Sequence, residues 1–95
     1  MVISDNNKKF LDDLVQYYIN ESESYKQFAN EYKEFSKSEM DVAFGLIVGS
    51  LYSTFLQTYA NQQLEVGLDY IQVFHEFIKS NAEQIRESLE KNQDS

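Results

Sequence analysis

The side chains best suited to chemistry are one histidine and several close pairs of carboxylates. His75 lies on the apolar side of its segment, with Gln72 three residues before it, where the di-iron pattern of helical bundles has a carboxylate. The chain contains no His-Glu-x-x-His or comparable ligand spacing. We therefore interpret His75 as a core or boundary histidine, which would make association sensitive to pH if it were half buried.

The close acidic pairs are candidates for metal ligands or acid-base groups, but they lie opposite or beside an apolar stripe and lack the glycine turn of a calcium loop. These pairs are Asp12 with Asp13, Glu21 with Glu23, and Glu31 with Glu34. They are typical of solvated helix faces. The sequence predicts no catalytic, cofactor-binding or metal-binding residue, and we expect a protein that is not an enzyme.

The charged residues are divided between two ends of the chain. Nine acidic and five basic residues precede Val42, seven acidic and three basic residues follow Leu64, and the 23 residues from Val42 to Leu64 carry no charge. The net charge of −8 repels phosphate backbones and anionic lipids, which argues against direct nucleic-acid binding. An acidic helical protein could instead occupy a basic groove on another protein.

The neutral stretch is long enough to cross a bilayer, which takes about 20 apolar residues. Its second half is polar, with Gln57, Asn61, Gln62 and Gln63, and neither flank is enriched in lysine or arginine. We expect no membrane contact. The absence of cysteine and of a basic, apolar leader after Met1 predicts an intracellular, cytoplasmic protein.

The chain has no proline and three glycines in 95 residues, which predicts a single all-α domain, residues 1–95, folded as an antiparallel three-helix bundle. The helices are expected at about 5–35, 38–61 and 67–91. Glu21 interrupts the apolar stripe of the first helix, which is therefore either continuous with an exposed middle turn or broken near Asn20 to Ser22. That stripe consists of Leu11, Leu14, Tyr18, Tyr25, Phe28, Tyr32 and Phe35.

The second and third helices show apolar positions on more than half of their circumference. Ser36 with Glu39 and Ser38 with Asp41 each resemble a capping box at the start of the second helix. Its predicted polar strip consists of Ser50, Thr54, Gln57 and Asn61. We expect its middle, with Leu51 and Phe55, to be shielded from water by the two charged ends of the chain. In the third helix the main stripe is Leu64, Leu68, Ile71, His75, Ile78, Ala82, Ile85 and Leu89, widened in its first half by Tyr70, Val73, Phe74 and Phe77.

So much apolar circumference exceeds what a three-helix monomer can bury, which predicts self-association, most simply as a two-fold dimer. Gly45 and Gly49 form a GxxxG pair that suits either a dimer seam or close contact with a helix of the same chain. The predicted contact is the Gly45, Gly49, Leu56 side or the Tyr70, Phe74, Phe77 side, and Tyr52 is included as an interface residue. The seven tyrosines and seven phenylalanines also favour an interface.

Three functions follow from these features. The first is an interaction or adaptor protein, without catalysis, that binds another protein. The second is an acidic inhibitor or nucleic-acid mimic that binds a basic protein surface, which requires one continuous acidic face. The third is a helical carrier with an apolar ligand pocket lined by Phe44, Tyr52, Phe74 and His75.

Overall fold

The computed structural model describes residues 5–91, and the chain is all-helical within that range. The helices are α1 (Asp5–Asn20), α2 (Ser22–Glu31), α3 (Glu39–Asn61) and α4 (Leu68–Lys91), with a 3-10 turn at Lys33–Phe35. The all-α prediction is confirmed. The predicted count of three helices is not matched, because the first of them is two helices. Residues 1–4, on which the expectation of no leader rests, lie outside the described range.

The break between α1 and α2 falls at Glu21, inside the segment where the sequence allowed one. Beyond it, Ser22 and Ala29 are buried, whereas Phe28 and Tyr32 are about half exposed, at 50% and 49%. The Ser22 hydroxyl donates a hydrogen bond to the Ser88 carbonyl oxygen in α4 at 3.4 Å. Of the predicted stripe beyond the break, Tyr25 packs against the core, whereas Phe28, Tyr32 and Phe35 are exposed, because the break turns a different face of the chain inward.

Helix α3 begins and ends with identifiable capping interactions. The Ser38 hydroxyl accepts a hydrogen bond from the Asp41 amide at 3.1 Å, so Ser38 is the N-cap. At the other end, Gln63 has a φ of 59°. The Leu64 amide donates to the Tyr59 carbonyl oxygen at 2.9 Å, and the Gln63 amide donates to that of Ala60 at 3.0 Å, which is a Schellman motif.

Helix α3 is the central element and contacts the other three helices. Helix α4 runs antiparallel to it, because the rings of Tyr59 and Tyr70 are 5.3 Å apart at one end and Arg86 lies 3.1 Å from the Asp41 carboxylate at the other. Helix α1 begins at the end of α3, where the Gln62 amide donates to the Asn7 side chain. The inner side of α3 is thus covered by α1, α2 and α4, which carry most of the charged residues.

The core is built around the inner side of α3, as the sequence predicted for Leu51 and Phe55, which are 0% and 2% exposed. The fully buried hydrophobic residues are Leu11, Val15, Ala29, Ala43, Ile47, Leu51, Phe55, Tyr59, Phe74, Ile78, Ile85 and Leu89. The predicted main stripe of the third helix is wrong in its first half. Leu68 is 85% exposed and His75 is exposed, while Phe74 from the second set faces the core.

Candidate protein-interaction surface

Helix α3 exposes one line of residues along its outer side, which we call the outer ridge. It contains every fourth residue, which in a helix forms one continuous row. Its members are Asp41, Gly45, Gly49, Ser53, Gln57 and Asn61, all exposed. The predicted polar strip is therefore half wrong, because Ser50 and Thr54 are partly buried and the glycines take the outward position.

The two glycines of the outer ridge face open space. Among residues 5–91, a Cβ atom built on Gly45 or on Gly49 would have no atom within 4 Å, apart from its own immediate helix backbone. Close packing against another of the described helices, one of the two explanations for the GxxxG pair, is therefore contradicted. Each helix glycine costs about 1 kcal/mol relative to alanine, and contacts within the described part of the chain do not offset that cost.

The residues on either side of the outer ridge are apolar and only partly covered. Val42 and Leu46 lie on one side, and Val48, Tyr52 and Leu56 lie on the other, all with intermediate exposure. Val42, Val48, Tyr52 and Leu56 pack against the core from its edge. The outer side of α3 thus combines a row of small or amide side chains with two apolar borders and carries no charge beyond Asp41.

The second predicted contact, on α4, is closed at one of its three residues. Phe74 is fully buried, with its ring 4.8 Å from that of Phe55 and 5.3 Å from that of Tyr52. Its side chain is not available to a partner. Tyr70 and Phe77 are partly buried and stand at the edge of the core. Of the seven predicted interface residues, Gly45 and Gly49 are the most open and Phe74 is the least.

The structure exposes a group of aromatic residues that the sequence stripe had placed inside. The rings of Phe28 and Tyr32 are 5.2 Å apart, and Phe35, three residues further on, is 84% exposed. We call Phe28, Tyr32 and Phe35 the aromatic patch. Ala29 gives the only sequence indication of this arrangement, since a small residue among large ones marks a position close to another helix.

His75 packs against aromatic rings rather than against a carboxylate. Its ring is stacked 6.1 Å from that of Tyr52 and lies edge-on to Phe74 at 5.6 Å. The Phe44 ring is covered by the Arg86 guanidinium, 5.2 Å from its centre. Of the four residues proposed to line a ligand pocket, Tyr52, Phe74 and His75 therefore contact one another, and Phe44 contacts Arg86.

The acidic side chains form no metal-binding group among the described residues. Asp12, Asp13, Glu23 and Glu31 are all exposed, and exposed carboxylates occur on each of the four helices. In α1 the Asp13 carboxylate lies 3.9 Å from the Lys9 ammonium. This distribution does not favour the mimic hypothesis over an ordinary solvated surface.

One titratable group between α2 and α3 has a shifted pKa. Burial raises the pKa of Tyr25 above its ordinary value of 10.0, and the neighbouring Tyr18 hydroxyl raises it further, while a hydrogen bond with Ser50 opposes the shift. The Tyr18 and Tyr25 rings are 5.6 Å apart. This tyrosine pair closes the contact between α1, α2 and α3.

Within the described part of the chain, α3 is the one helix whose length and composition would allow it to cross a membrane. Only 22% of its apolar window is buried by the rest of the chain. Core helices of globular proteins pass the same test, so the observation is weak, and the expectation of no membrane contact stays a prediction.

Comparison of the chain with protein-family models, with curated proteins and with solved structures finds no match. The function of the protein is therefore inferred from the geometry of its surface alone.

Proposed function

We propose that this protein is a non-catalytic interaction module that forms a two-fold dimer through the outer side of α3 and presents its remaining surface to another protein. The observation that carries the proposal is the open space around Gly45 and Gly49. Two glycines one turn apart weaken a helix, and no residue in the described range 5–91 packs closely enough on them to offset that loss.

The composition of this surface supports a protein partner. It is apolar at its borders, small in its centre and almost uncharged, which matches the depletion of charge seen at the centres of protein interfaces. A second copy offers the same neutral surface. We place the protein in the cytoplasm on the basis of its cysteine-free, acidic sequence.

Sedimentation velocity from low to high micromolar concentration tests the dimer. Gly49→Glu introduces bulk and charge into the proposed contact, and we expect it to weaken the dimer roughly tenfold or more, because like charges then face each other. The matched control is Gln84→Glu, which adds the same charge at an exposed position of α4.

A wild-type chain that stays monomeric at high micromolar concentration would contradict self-association. A Gly49→Glu variant that dimerises like wild type would place the contact on another surface. Co-sedimentation of a monomeric wild-type chain with lipid vesicles would show that a bilayer, and not a protein, covers the outer side of α3.

The aromatic patch is our proposed contact for a different protein. Exposed aromatic rings are strong anchors at interfaces, and the exposed residues next to the patch carry both signs of charge, as Glu31, Lys33 and Glu34 show. A pull-down with wild-type protein, repeated with Tyr32→Ala and Phe35→Ala together, should lose the specific partner. Leu68→Ala, at a leucine that is 85% exposed on α4, is the control and should keep it.

A further inference from the structure

The exposed aromatic residues are concentrated at the start of the chain. Of the seven large hydrophobic side chains that are at least 40% exposed among residues 5–91, five lie between positions 10 and 35. Three of them form the aromatic patch, and the other two are Phe10 and Tyr17 on α1, which are 40% and 55% exposed. Single exposed apolar residues are normal, so the significance of these five depends on whether they share one side of the molecule.

A line of residues along one side of α1 leads to the aromatic patch on α2, and we call it the lateral row. Its members are Phe10, Leu14, Tyr17, Glu21 and Phe28. The three members in α1 before the break lie within about 60° of one another at 3.6 residues per turn. All members are exposed except Leu14, which is partly buried.

The lateral row keeps the same position relative to the core in both helices. Its members directly precede buried residues, as Phe10 precedes Leu11 in α1 and Glu21 precedes Ser22 at the break. Phe28 in α2 likewise precedes a fully buried alanine. Because successive residues of a helix differ by about 100°, these members stand at one angle from the core, and they form a continuous surface with the aromatic patch.

The charged residues that adjoin the lateral row are acidic. Glu21 is itself a member. The positions three or four residues from Phe10, Tyr17 and Phe28, which neighbour them on the helix surface, add two exposed carboxylates and no lysine. These are Asp13 and Glu31. The Lys9 ammonium lies 3.9 Å from the Asp13 carboxylate in an exposed pair, which contributes little. The row therefore combines aromatic anchors with a negative edge.

We infer that the lateral row and the aromatic patch together bind an amphipathic helix of another protein whose polar residues are basic. This inference rests on the proposed function and names the partner at the aromatic patch. Apolar residues at three- and four-residue steps suit the apolar face of a partner helix. From Phe10 to Tyr32 the surface is about 33 Å long at 1.5 Å per residue, which fits a partner helix of about six turns.

A partner helix fits this surface better than a lipid bilayer does. Glu21 stands within the row, and burying an unpaired carboxylate among acyl chains is costly. Asp13 and Glu31 would also be repelled by anionic headgroups. A lysine or arginine in the middle of a partner helix would instead pair with Glu21, while the apolar residues of that helix cover Phe10, Tyr17 and the aromatic patch.

Fluorescence anisotropy with a designed peptide tests the inference. The probe is a labelled peptide of about 22 residues with leucine at the a and d positions of each heptad and lysine at the surrounding positions. Glu21→Lys should weaken its binding roughly tenfold or more, because an attraction becomes a repulsion. Glu83→Lys makes the same change of charge on the exposed side of α4 and should alter binding by less than about twofold.

A second variant removes the aromatic anchors. Phe10→Ala together with Tyr17→Ala should weaken binding of the same peptide roughly tenfold or more, because exposed aromatic rings contribute most at such contacts. Circular dichroism and thermal unfolding would verify that each variant is folded.

Three outcomes would overturn the inference. The first is equal weakening by Glu21→Lys and Glu83→Lys, which would mean that net charge alone attracts the peptide. The second is co-sedimentation with neutral phosphatidylcholine vesicles that is lost in the Phe10→Ala, Tyr17→Ala variant, which would assign the row to a bilayer. The third is loss of binding in the Tyr32→Ala, Phe35→Ala variant alone, which would confine the contact to the aromatic patch and leave the proposed function standing.

Discussion

Helices α3 and α4 have nearly the same length, 23 and 24 residues, and both bury an apolar side in the same core. Their outer sides differ. Helix α4 exposes Glu76, Lys79, Glu83 and Glu87, which water solvates well, whereas α3 exposes its outer ridge. The buried sides do not distinguish the two helices. The composition of the exposed side is the reason for which we propose α3, and not α4, as a contact surface.

The largest expected effect tests whether the buried sides of α3 and α4 contribute equally to the free energy of unfolding. Phe55→Ala in α3 and Phe74→Ala in α4 should each lower the free energy of unfolding by about 3–5 kcal/mol, because both leave a cavity in the core. Urea denaturation measures the loss. Phe35→Ala, at a residue that is 84% exposed, is the matched control and should change it by less than about 0.5 kcal/mol. A large loss in the control would mean that the aromatic patch is buried.

The next effect concerns the start of α3. Ser38→Ala removes the acceptor of the Asp41 amide and should destabilise the protein by about 1 kcal/mol. Ser36→Ala is the control, since the buried Ser36 hydroxyl has no hydrogen-bond partner among the described residues and its loss should cost nothing. Equal losses in thermal or urea unfolding would show that both serines cap the helix.

The exposed sides of α3 and α4 should respond differently to alanine, which should stabilise the protein only on α3. Gly45→Ala should raise the free energy of unfolding of the dilute monomer by about 0.8–1 kcal/mol, because the new methyl group meets nothing and helix propensity improves. Glu83→Ala on the exposed side of α4 should change it by less than about 0.5 kcal/mol. A destabilised Gly45→Ala monomer would show that a neighbour in the same chain packs on that glycine.

The smallest effect is on the pH dependence of the contact between α2 and α3. Since the folded-state pKa of Tyr25 lies above 10.0, its contribution to stability is complete below pH 10 and is lost as pH rises through the folded-state value. Tyr25→Phe should therefore make the alkaline loss of stability shallower. Tyr32→Phe, at a tyrosine that is 49% exposed and does not act on Tyr25, is the control and should leave the alkaline unfolding curve unchanged.

The sequence predicted the extent and the buried side of α3 well, because its boundaries depend on local interactions. Ser38 three residues before Asp41 is a capping pattern that operates within one turn, and the loss of apolar residues after Asn61 marks the end. Leu51 and Phe55 lie in the middle of a neutral segment, where burial is the outcome favoured by the hydrophobic effect.

The inward side of α2 could not be predicted in the same way. A stripe is read by assuming uniform rotation of 3.6 residues per turn, and the break at Glu21 changes that rotation by an amount set by tertiary packing. Ala29 replaced Phe28 as the buried residue for this reason. In α3, the sequence did not place the glycines in the exposed row, because glycine has no side chain whose polarity would indicate an exposed or a buried position.

The open space around Gly45 and Gly49 has an engineering consequence. Since no residue among 5–91 restricts the volume there, positions 45 and 49 can accept a larger side chain or an attached chemical label without compensating changes in the interior.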